Sequence, residues 1–268
     1  MKTQILKLNF VLLAYASILL ASCGHDGPFR GDCINGQGGI VTQELSVADF
    51  TSLSTTGSFN IEIIEADEQK ITATGHANII SLLNTEVSGS DYHLGLRSGC
   101  YRNFDLEVTI ETPYLDQISS NGSGNVFIRS LAETESLAIA TTGSGLVRSS
   151  STLSAEGWVF LESTGSGGMI LSIETDSLHV SQTGSGNMEL SGELRTQDIV
   201  KTGSGSYFAY DLVSEITTLV NSGSGLTQLD VRDELRASLN GSGSVFYRGR
   251  PSVVIANAVG SGTVVSAD

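Results

Sequence analysis

The chain has 268 residues, enough for one large or two small domains, and 40% of them are hydrophobic, enough to fill a core, so an intrinsically disordered chain is excluded. Charged residues make up only 16%, against 31 glycines and 3 prolines, a balance that suits many short strands joined by tight turns. The formal net charge of −15 makes nucleic acid a poor partner and opposes contact with anionic lipid headgroups.

In chain order, Lys2 and Lys7 precede an apolar run from Phe10 to Ala21 that is too short to span a bilayer comfortably, so residues 1–22 read as a signal peptide. The run ends in Leu20-Ala21-Ser22-Cys23-Gly24, which resembles the lipobox of bacterial lipoproteins. That resemblance implies acylation of Cys23 and cleavage before it; the alternative is an ordinary signal peptide with a chance cysteine. Acyl chains on one residue anchor a protein to a membrane without a transmembrane helix. Removing residues 1–22 leaves 14 − 2 = 12 basic against 29 acidic side chains, a net −17, so membrane association is expected through the anchor and not through the surface. Gly24 is not the aspartate that holds some lipoproteins in the inner membrane, so the expected address is the outer membrane, on its periplasmic face or at the cell surface.

Residues 23–39, rich in glycine and poor in apolar residues, read as a tether. Cys33 and Cys100 remain once Cys23 carries lipid, and an oxidising envelope favours a disulfide between them, with two unpaired thiols as the alternative. Such a bond closes a long loop and contributes roughly 3–5 kcal/mol when unstrained.

Residues 40–116 alternate apolar and polar positions, as in Phe59-Asn60-Ile61-Glu62-Ile63 and Leu106-Glu107-Val108-Thr109-Ile110, without a strict period. Thr56-Gly57-Ser58-Phe59 looks like a degenerate copy of the turn that repeats downstream. The region is expected to be an irregular β cap over the end of a strand stack, where an open edge would invite aggregation.

Residues 117–268 carry eight Gly-Ser-Gly turns, bounded by Gly122 and Gly124, Gly143 and Gly145, Gly165 and Gly167, Gly184 and Gly186, Gly203 and Gly205, Gly223 and Gly225, Gly241 and Gly243, and Gly260 and Gly262. Their spacings of 21, 22, 19, 19, 20, 18 and 19 residues are too regular for a flexible linker. Four residues before each first glycine stands an apolar residue, from Ile118 to Ala256, and two after each second glycine a largely apolar one, from Val126 to Val264. Alternation on both sides of the turn means two strands per unit. The expected fold is therefore all-β: a single-stranded right-handed β-helix, or β-solenoid, with rungs of about 20 residues.

Two tight bends stacked rung upon rung call for positive φ or the absence of a Cβ, which explains the glycines; the serine and the Asn/Thr/Ser column before the turn offer hydrogen bonds between rungs. The spacing scatter falls at the opposite corner, where Leu131, Leu153, Ile173, Leu194, Leu212 and Val231 lie six to eight residues after the second glycine. Three residues past that glycine, Phe127, Phe208 and Phe246, with Ile170 and Val265, fall where alternation points outward and form a candidate surface for sugar or peptide; the competing reading places them in the core.

Nearly the whole mature chain resembles the bacterial head GIN domain family of auto-transporter adhesins. The resemblance rests on Cys33-Ile34-Asn35-Gly36, on Asp49-Phe50-Thr51-Ser52-Leu53 running into Gly57-Ser58-Phe59-Asn60-Ile61, on Leu115-Asp116-Gln117-Ile118, and on Tyr247-Arg248-Gly249 with Val259-Gly260-Ser261-Gly262. It implies a secreted or lipid-anchored β-helical protein. With six residues following the last turn, a translocating barrel within this sequence is not expected.

Catalytic and metal chemistry find little support. Asp105, Glu107 and Glu111, and Glu62, Glu65 and Glu68, read as solvated faces, although acidic grooves of β-helical polysaccharide enzymes keep a carbohydrate-active enzyme in play. His25, His76, His93 and His179 lack ligand-spaced partners, the turns hold no aspartate for repeated calcium sites, and Gly-Ser-Gly is not a nucleophile elbow. No cofactor or metal is expected. The function expected is a non-enzymatic envelope lipoprotein presenting a surface to glycan, protein or neighbouring cells, with an enzyme or a passive structural component as alternatives and no oligomeric state implied.

Overall fold

The computed structural model describes residues 33–268, of which Ile34–Asp268 form one compact unit. The signal peptide, Cys23 and the first part of the tether lie outside the described residues. The unit is nearly all β, a β-solenoid of about eight stacked parallel coils.

Ten short elements come first: β1 (Ile34–Asn35), β2 (Ile40–Leu45), β3 (Ser52–Gly57), β4 (Asn60–Glu65), β5 (Lys70–His76), the single helical turn α1 (Ala77–Ile80), β6 (Val87–Ser88), β7 (Asp91–Gly95), β8 (Tyr101–Arg102) and β9 (Leu106–Thr112). The repeats supply β10 (Gln117–Gly122), β11 (Val126–Ile128), β12 (Thr134–Gly143), β13 (Leu146–Gly165), β14 (Gly168–Gly184), β15 (Met188–Gly203), β16 (Tyr207–Gly223), β17 (Thr227–Gly241), β18 (Val245–Arg248), β19 (Val253–Gly260) and β20 (Val264–Ser266). Each coil leaves a Gly-Ser-Gly corner through an outgoing sheet, bends at a looser corner, and comes back through a return sheet to the next Gly-Ser-Gly. β13 to β17 each run through both sheets.

Register at the glycine corner is unbroken: Gly122, Gly143, Gly165, Gly184, Gly203 and Gly223 face one another in turn, and Gly241 faces Gly260. The corner has its own hydrogen-bond pattern. The Gly143 carbonyl accepts from both Ser166 N–H at 2.9 Å and Gly167 N–H at 2.8 Å, and the Gly184 carbonyl accepts from Ser204 and Gly205, both at 2.9 Å. This close approach requires glycine. Gly184 sits at φ +118°, and a Cβ there would lie 2.3 Å from the Gly165 carbonyl oxygen.

The two glycines of a turn are needed for different reasons, which separates the alternatives that the spacing left together. Positive φ belongs to the first glycine of most turns and not to the second. At the second, the space for a Cβ is already occupied: it would lie 2.1 Å from the Gly124 carbonyl oxygen if placed on Gly145, 1.7 Å from that of Gly167 if placed on Gly186, and 1.9 Å from that of Gly205 if placed on Gly225. Gly243 differs from these. A Cβ there would meet the Asn221 amide nitrogen at 2.7 Å before the Gly225 carbonyl oxygen at 2.8 Å, because the corner is wider and an inward side chain shares it.

Side-chain bonding between coils runs through the turn serine, where Ser204 and Ser224 Oγ lie 3.2 Å apart and Ser261 donates to Ser242 at 3.3 Å, and one residue after the second glycine, where Asn125 donates to Asn60 Oδ1 at 3.1 Å and Asn187 Oδ1 accepts from Ser206 N–H at 2.9 Å. The column before the first glycine points to solvent.

Register shifts fall elsewhere, at Thr134/Ser136, Arg148/Thr152, Ala155/Trp158, Glu189/Ser191, Ala209/Val213 and Ser214/Ile216. Unequal spacing is thus absorbed in the outgoing sheet and the looser corner. The six apolar residues expected there are all buried, but they do not form one column. Gly192 faces Ile173 and Leu212, while Leu194 faces Thr175 and Ser214.

The core is an apolar column on each sheet, Ile118, Ile139, Leu161, Val180, Ile199 and Leu219 on the return side and Val126, Val147, Met169, Met188 and Tyr207 on the outgoing side, all buried. Between the return column and the corner lies a buried polar one: Ser120, Thr141, Ser163, Gln182, Lys201 and Asn221. Its polarity answers carbonyls that the corner turns inward. Gln182 Nε2 donates to the Gly186 carbonyl at 2.7 Å, and Lys201 Nζ to the Leu226 carbonyl at 3.1 Å and to Thr227 Oγ1 at 2.9 Å. Nearby, Gln197 donates to Ser214 and Thr217 and accepts from the Tyr207 hydroxyl. Burial lowers the Lys201 pKa to about 8.

The structure corrects the boundaries expected ahead of the repeats. Residues 52–65 are a full coil in the stack, with Gly57 facing Gly122 and Ile61 facing Val126. Phe59 takes the place of a second glycine, and the Gly57 carbonyl still accepts from Ser123 and Gly124, each at 3.0 Å. On the far side of this coil, β7 pairs with β3 and β9 with β4, so residues 91–112 form the coil beyond it. The true cap is the antiparallel addition of β5 to β9 and of β2 to β5, with β6 antiparallel on β7, α1 burying Ile79 and Ile80, and the Phe50 and Tyr92 rings 5.0 Å apart.

The expected tether also ends earlier than residue 39. β1 pairs with β8, Asn78 donates to the Asn35 carbonyl at 2.8 Å, and Gln37 N–H donates to Asn78 Oδ1 at 2.9 Å. Amide side chains, not apolar burial, hold this segment, so its composition concealed it. Cys33 and Cys100 are both disulfide-bonded, and Ile34 N–H donates to the Cys100 carbonyl at 2.8 Å.

Two stability outcomes follow. Gly184→Ala is expected to destabilise by more than about 2 kcal/mol in urea unfolding, because positive φ and a backbone clash combine, whereas Ser185→Ala, exposed on the same turn, stays within about 0.5 kcal/mol. For Lys201 the folded pKa of about 8 lies below the ordinary 10.5, so between those pH values the unfolded chain binds more protons and stability rises with pH. Lys201→Leu, which copies Leu239 two coils on, is expected to add roughly 1–3 kcal/mol below pH 8 and to remove that rise. Thermal unfolding from pH 6.5 to 10.5 measures both effects, and an undiminished slope in the variant would contradict the assignment.

Candidate functional site

The outgoing-sheet column containing Phe127, Phe208 and Phe246 does point outward, since each ring follows a buried residue, Val126, Tyr207 and Val245. It is not a bare aromatic row. Read coil by coil it runs Glu62, Phe127, Arg148, Ile170, Glu189, Phe208, Gln228, Phe246, Val265. With coils about 4.8 Å apart, Phe208 and Phe246 stand about 10 Å from each other and Phe127 about 19 Å from Phe208. Arg148, Ile170, Glu189 and Gln228 fill the gaps and leave all three rings half-buried. Beside the column Arg129 pairs with Glu62, and the Arg248 guanidinium lies 3.9 Å from the Tyr210 ring centroid.

A more open aromatic surface lies on the return sheet. Trp158 stands outward with 42% of its surface exposed, between Ser136 and Ser177 on the neighbouring coils. Two residues on, Phe160 also points outward, between Ala138 and His179. Small neighbours leave the indole face uncovered, and polar groups rim it. Thr196 Oγ1 donates to Ser177 Oγ at 3.1 Å, and His179 Nδ1 lies 3.5 Å from Asp198 Oδ2. A flat ring with hydroxyls, an imidazole and a carboxylate within two coils can stack on the apolar face of a sugar ring while bonding its hydroxyls.

Sequence periodicity did not single out Trp158 because its column, seven residues before the first glycine, carries no common residue type: Ser136, Trp158, Ser177, Thr196, Ile216, Glu234 and Val253. The usable signal was composition: it is the one tryptophan of the chain.

The looser corner forms an open groove lined by Glu133, Glu156, Glu174, Asp176, Glu193 and Glu215, with Arg195 and Arg232. Glu174 and Glu193 face each other directly. Arg195 clamps Asp176 with two hydrogen bonds of 2.8 Å, and that guanidinium holds the Asp176 carboxyl below its usual range. Such a groove repels anionic ligands.

The remaining candidates are scattered. Glu107 and Glu111 alternate with buried Val108 and Ile110 and face outward, Glu62 is paired with Arg129, and Glu65 and Glu68 are exposed. His76 Nδ1 accepts from Asp105 N–H at 3.1 Å, and His93 Nδ1 lies 3.3 Å from Ser54 Oγ. Among the described residues no group of three or more His, Cys, Asp or Glu side chains is placed to hold a metal ion.

No curated protein matches the chain. Solved structures do. A protein from Parabacteroides merdae described as a putative adhesin superposes with a TM-score of 0.83 at 22% identity, over 88% of this chain and 100% of that one. A second putative adhesin, from Parabacteroides distasonis, gives 0.81 at 23% identity, over 88% and 100%. A third, from the same species and described as a putative lipid binding protein, gives 0.77 at 23%, over 88% and 99%. At such identities these likenesses concern the fold. Residues 49–251 match the model of the DUF2807 family, described as putative auto-transporter adhesin, head GIN domain, and the chain belongs to that family.

Proposed function

We propose that this chain is a non-enzymatic lipoprotein of the cell envelope, held by lipid on Cys23, that presents a rigid β-solenoid surface as an adhesin. The bound class is neutral glycan, and the contact is the return-sheet surface around Trp158. The observation that carries the reading is the exposed indole beside Phe160, rimmed by Ser177, His179 and Asp198. The net −17 of the chain from Cys23 onward, 12 basic against 29 acidic side chains, supports a neutral ligand over an anionic one. Family membership supports the adhesin role, and the half-buried phenylalanine column would serve as a secondary contact.

The single tryptophan makes its own reporter. Titration with neutral cell-surface oligosaccharides is expected to shift Trp158 fluorescence saturably, and Trp158→Ala to weaken binding at least tenfold by calorimetry with unchanged thermal unfolding. Absence of binding across a neutral glycan panel by the folded protein would leave a passive structural role. Protease protection of the body in intact cells would sink the adhesin reading.

A further inference from the structure

The tight corner of the stack opens in the coil at residues 91–112. Thr56 faces Gly95 and Asn60 faces Glu107, so the coil at residues 52–65 turns between these facing pairs with residues 57–59 alone, whereas its neighbour uses residues 96–106. The extra chain stands over Ser58 and Asn60 and forms with them an open cavity of about 380 Å³, within the range of small-molecule sites.

The loop is held firmly although no residue from 96 to 105 is buried. Cys100 is tied to Cys33, β8 pairs with β1, and Asn103 Nδ2 donates to Asn35 Oδ1 at 3.1 Å. Asp105 N–H donates to His76 Nδ1 at 3.1 Å, and the Tyr101 and Phe104 rings meet edge to face at 6.2 Å. Asn103 holds φ +49°, a left-handed conformation that asparagine adopts more readily than most residues. Ordering an exposed loop costs entropy that core burial does not offset here, but a loop ordered in advance loses less on binding a ligand.

Charge indicates the ligand. Arg102 and Asp105 both line the cavity, and among the described residues neither side chain has an ion pair or hydrogen bond, with the other or with any neighbour. Opposite charges kept apart across one opening are answered together by a molecule that carries both charges itself. A carboxylate or an amine alone neutralises one and leaves the other unpaired, and a neutral sugar neutralises neither.

We propose that this cavity binds a zwitterionic amino acid, with Arg102 taking its carboxylate and Asp105 its ammonium group. Phe104 supplies an apolar edge for the side chain, and Ser58 and Asn60 supply neutral hydrogen-bonding groups. The site does not rest on the glycan reading, whose contact lies on the return sheet around Trp158.

The test is calorimetric titration of the full chain with free alanine and phenylalanine, with propionate and propylamine as carriers of one charge each, and with glucose as a neutral ligand. Expected is saturable binding of an amino acid, at least tenfold tighter than that of the other three, and weakened at least tenfold by Arg102→Gln and by Asp105→Asn. Both side chains are exposed, so both variants are expected to unfold at the native temperature, and Trp158→Ala is expected to leave amino-acid binding unchanged. No amino-acid binding by the folded native protein would overturn the proposal, as would binding that Trp158→Ala abolishes or that neither charge substitution weakens. Equal affinity for glucose would make the cavity a sugar site, and equal affinity for propionate or propylamine a site for one charge; either result overturns zwitterion recognition. Should a variant fail to fold, the native protein decides: the backbone amide resonances of residues 101–105 are expected to shift on titration with the amino acid, and shifts confined to other residues would place the site elsewhere.

Discussion

One carbonyl oxygen taking two N–H groups from the next coil is the contact on which the molecule depends. At Gly143, Gly165 and Gly184 the first glycine of a turn accepts from the serine and the second glycine above it. The arrangement draws successive corners so close that neither glycine of the following turn can carry a Cβ. Because it recurs coil after coil, the two sheets on either side are held in fixed register while the opposite corner remains free to vary. The turn chemistry is therefore structural throughout, and ligand chemistry has to be sought on the faces it supports.

The inside of the solenoid reflects the same contact at one remove. A sharp corner turns backbone carbonyls inward, and the column beneath it is polar for that reason: Gln182 and Lys201 spend their donors there. Lys201 stands among oxygen acceptors with no carboxylate beside it, so its charge is tolerated at a cost, and Leu239 two coils later shows the position accepting an apolar side chain.

Much of this was legible in the sequence because stacking in register turns spacing into geometry. The apolar columns from Ile118 and from Val126, the glycine corners and the wandering far corner all follow from alignment on Gly-Ser-Gly. What escaped has physical causes. Spacing could not tell a glycine kept for its φ, such as Gly143, from one kept for want of room, such as Gly145 or Gly225, since both leave the same letter. The turn at Gly57-Ser58-Phe59 was legible as a degenerate copy of the repeat, but the coil at residues 52–65 that it belongs to was placed in the cap because its neighbours in space are distant in sequence. β1 hid because amide hydrogen bonds rather than apolar contacts secure it. The aromatic surface was sought among periodic phenylalanines, which turn out to be interleaved with Arg, Ile, Glu and Gln, while Trp158 stands in a column whose other members, such as Ser136 and Ser177, share no residue type with it.

The coil at residues 52–65 also bears on the order of assembly. It lies between a coil made by residues 91–112 and one made by residues 117–128, so both of its neighbours come later in the chain. A chain emerging N-terminus first therefore cannot build this stack as it arrives: β3 has no sheet to join until β7, 91 − 57 = 34 residues on, and β4 none until β9, 106 − 65 = 41 residues on. The repeats, each resting on the one before, can add sequentially once that clasp has closed. Nucleation is thus expected to be slow and non-local at one end and propagation quick along the rest, with the chain complete well past residue 112 before the first stable coil exists.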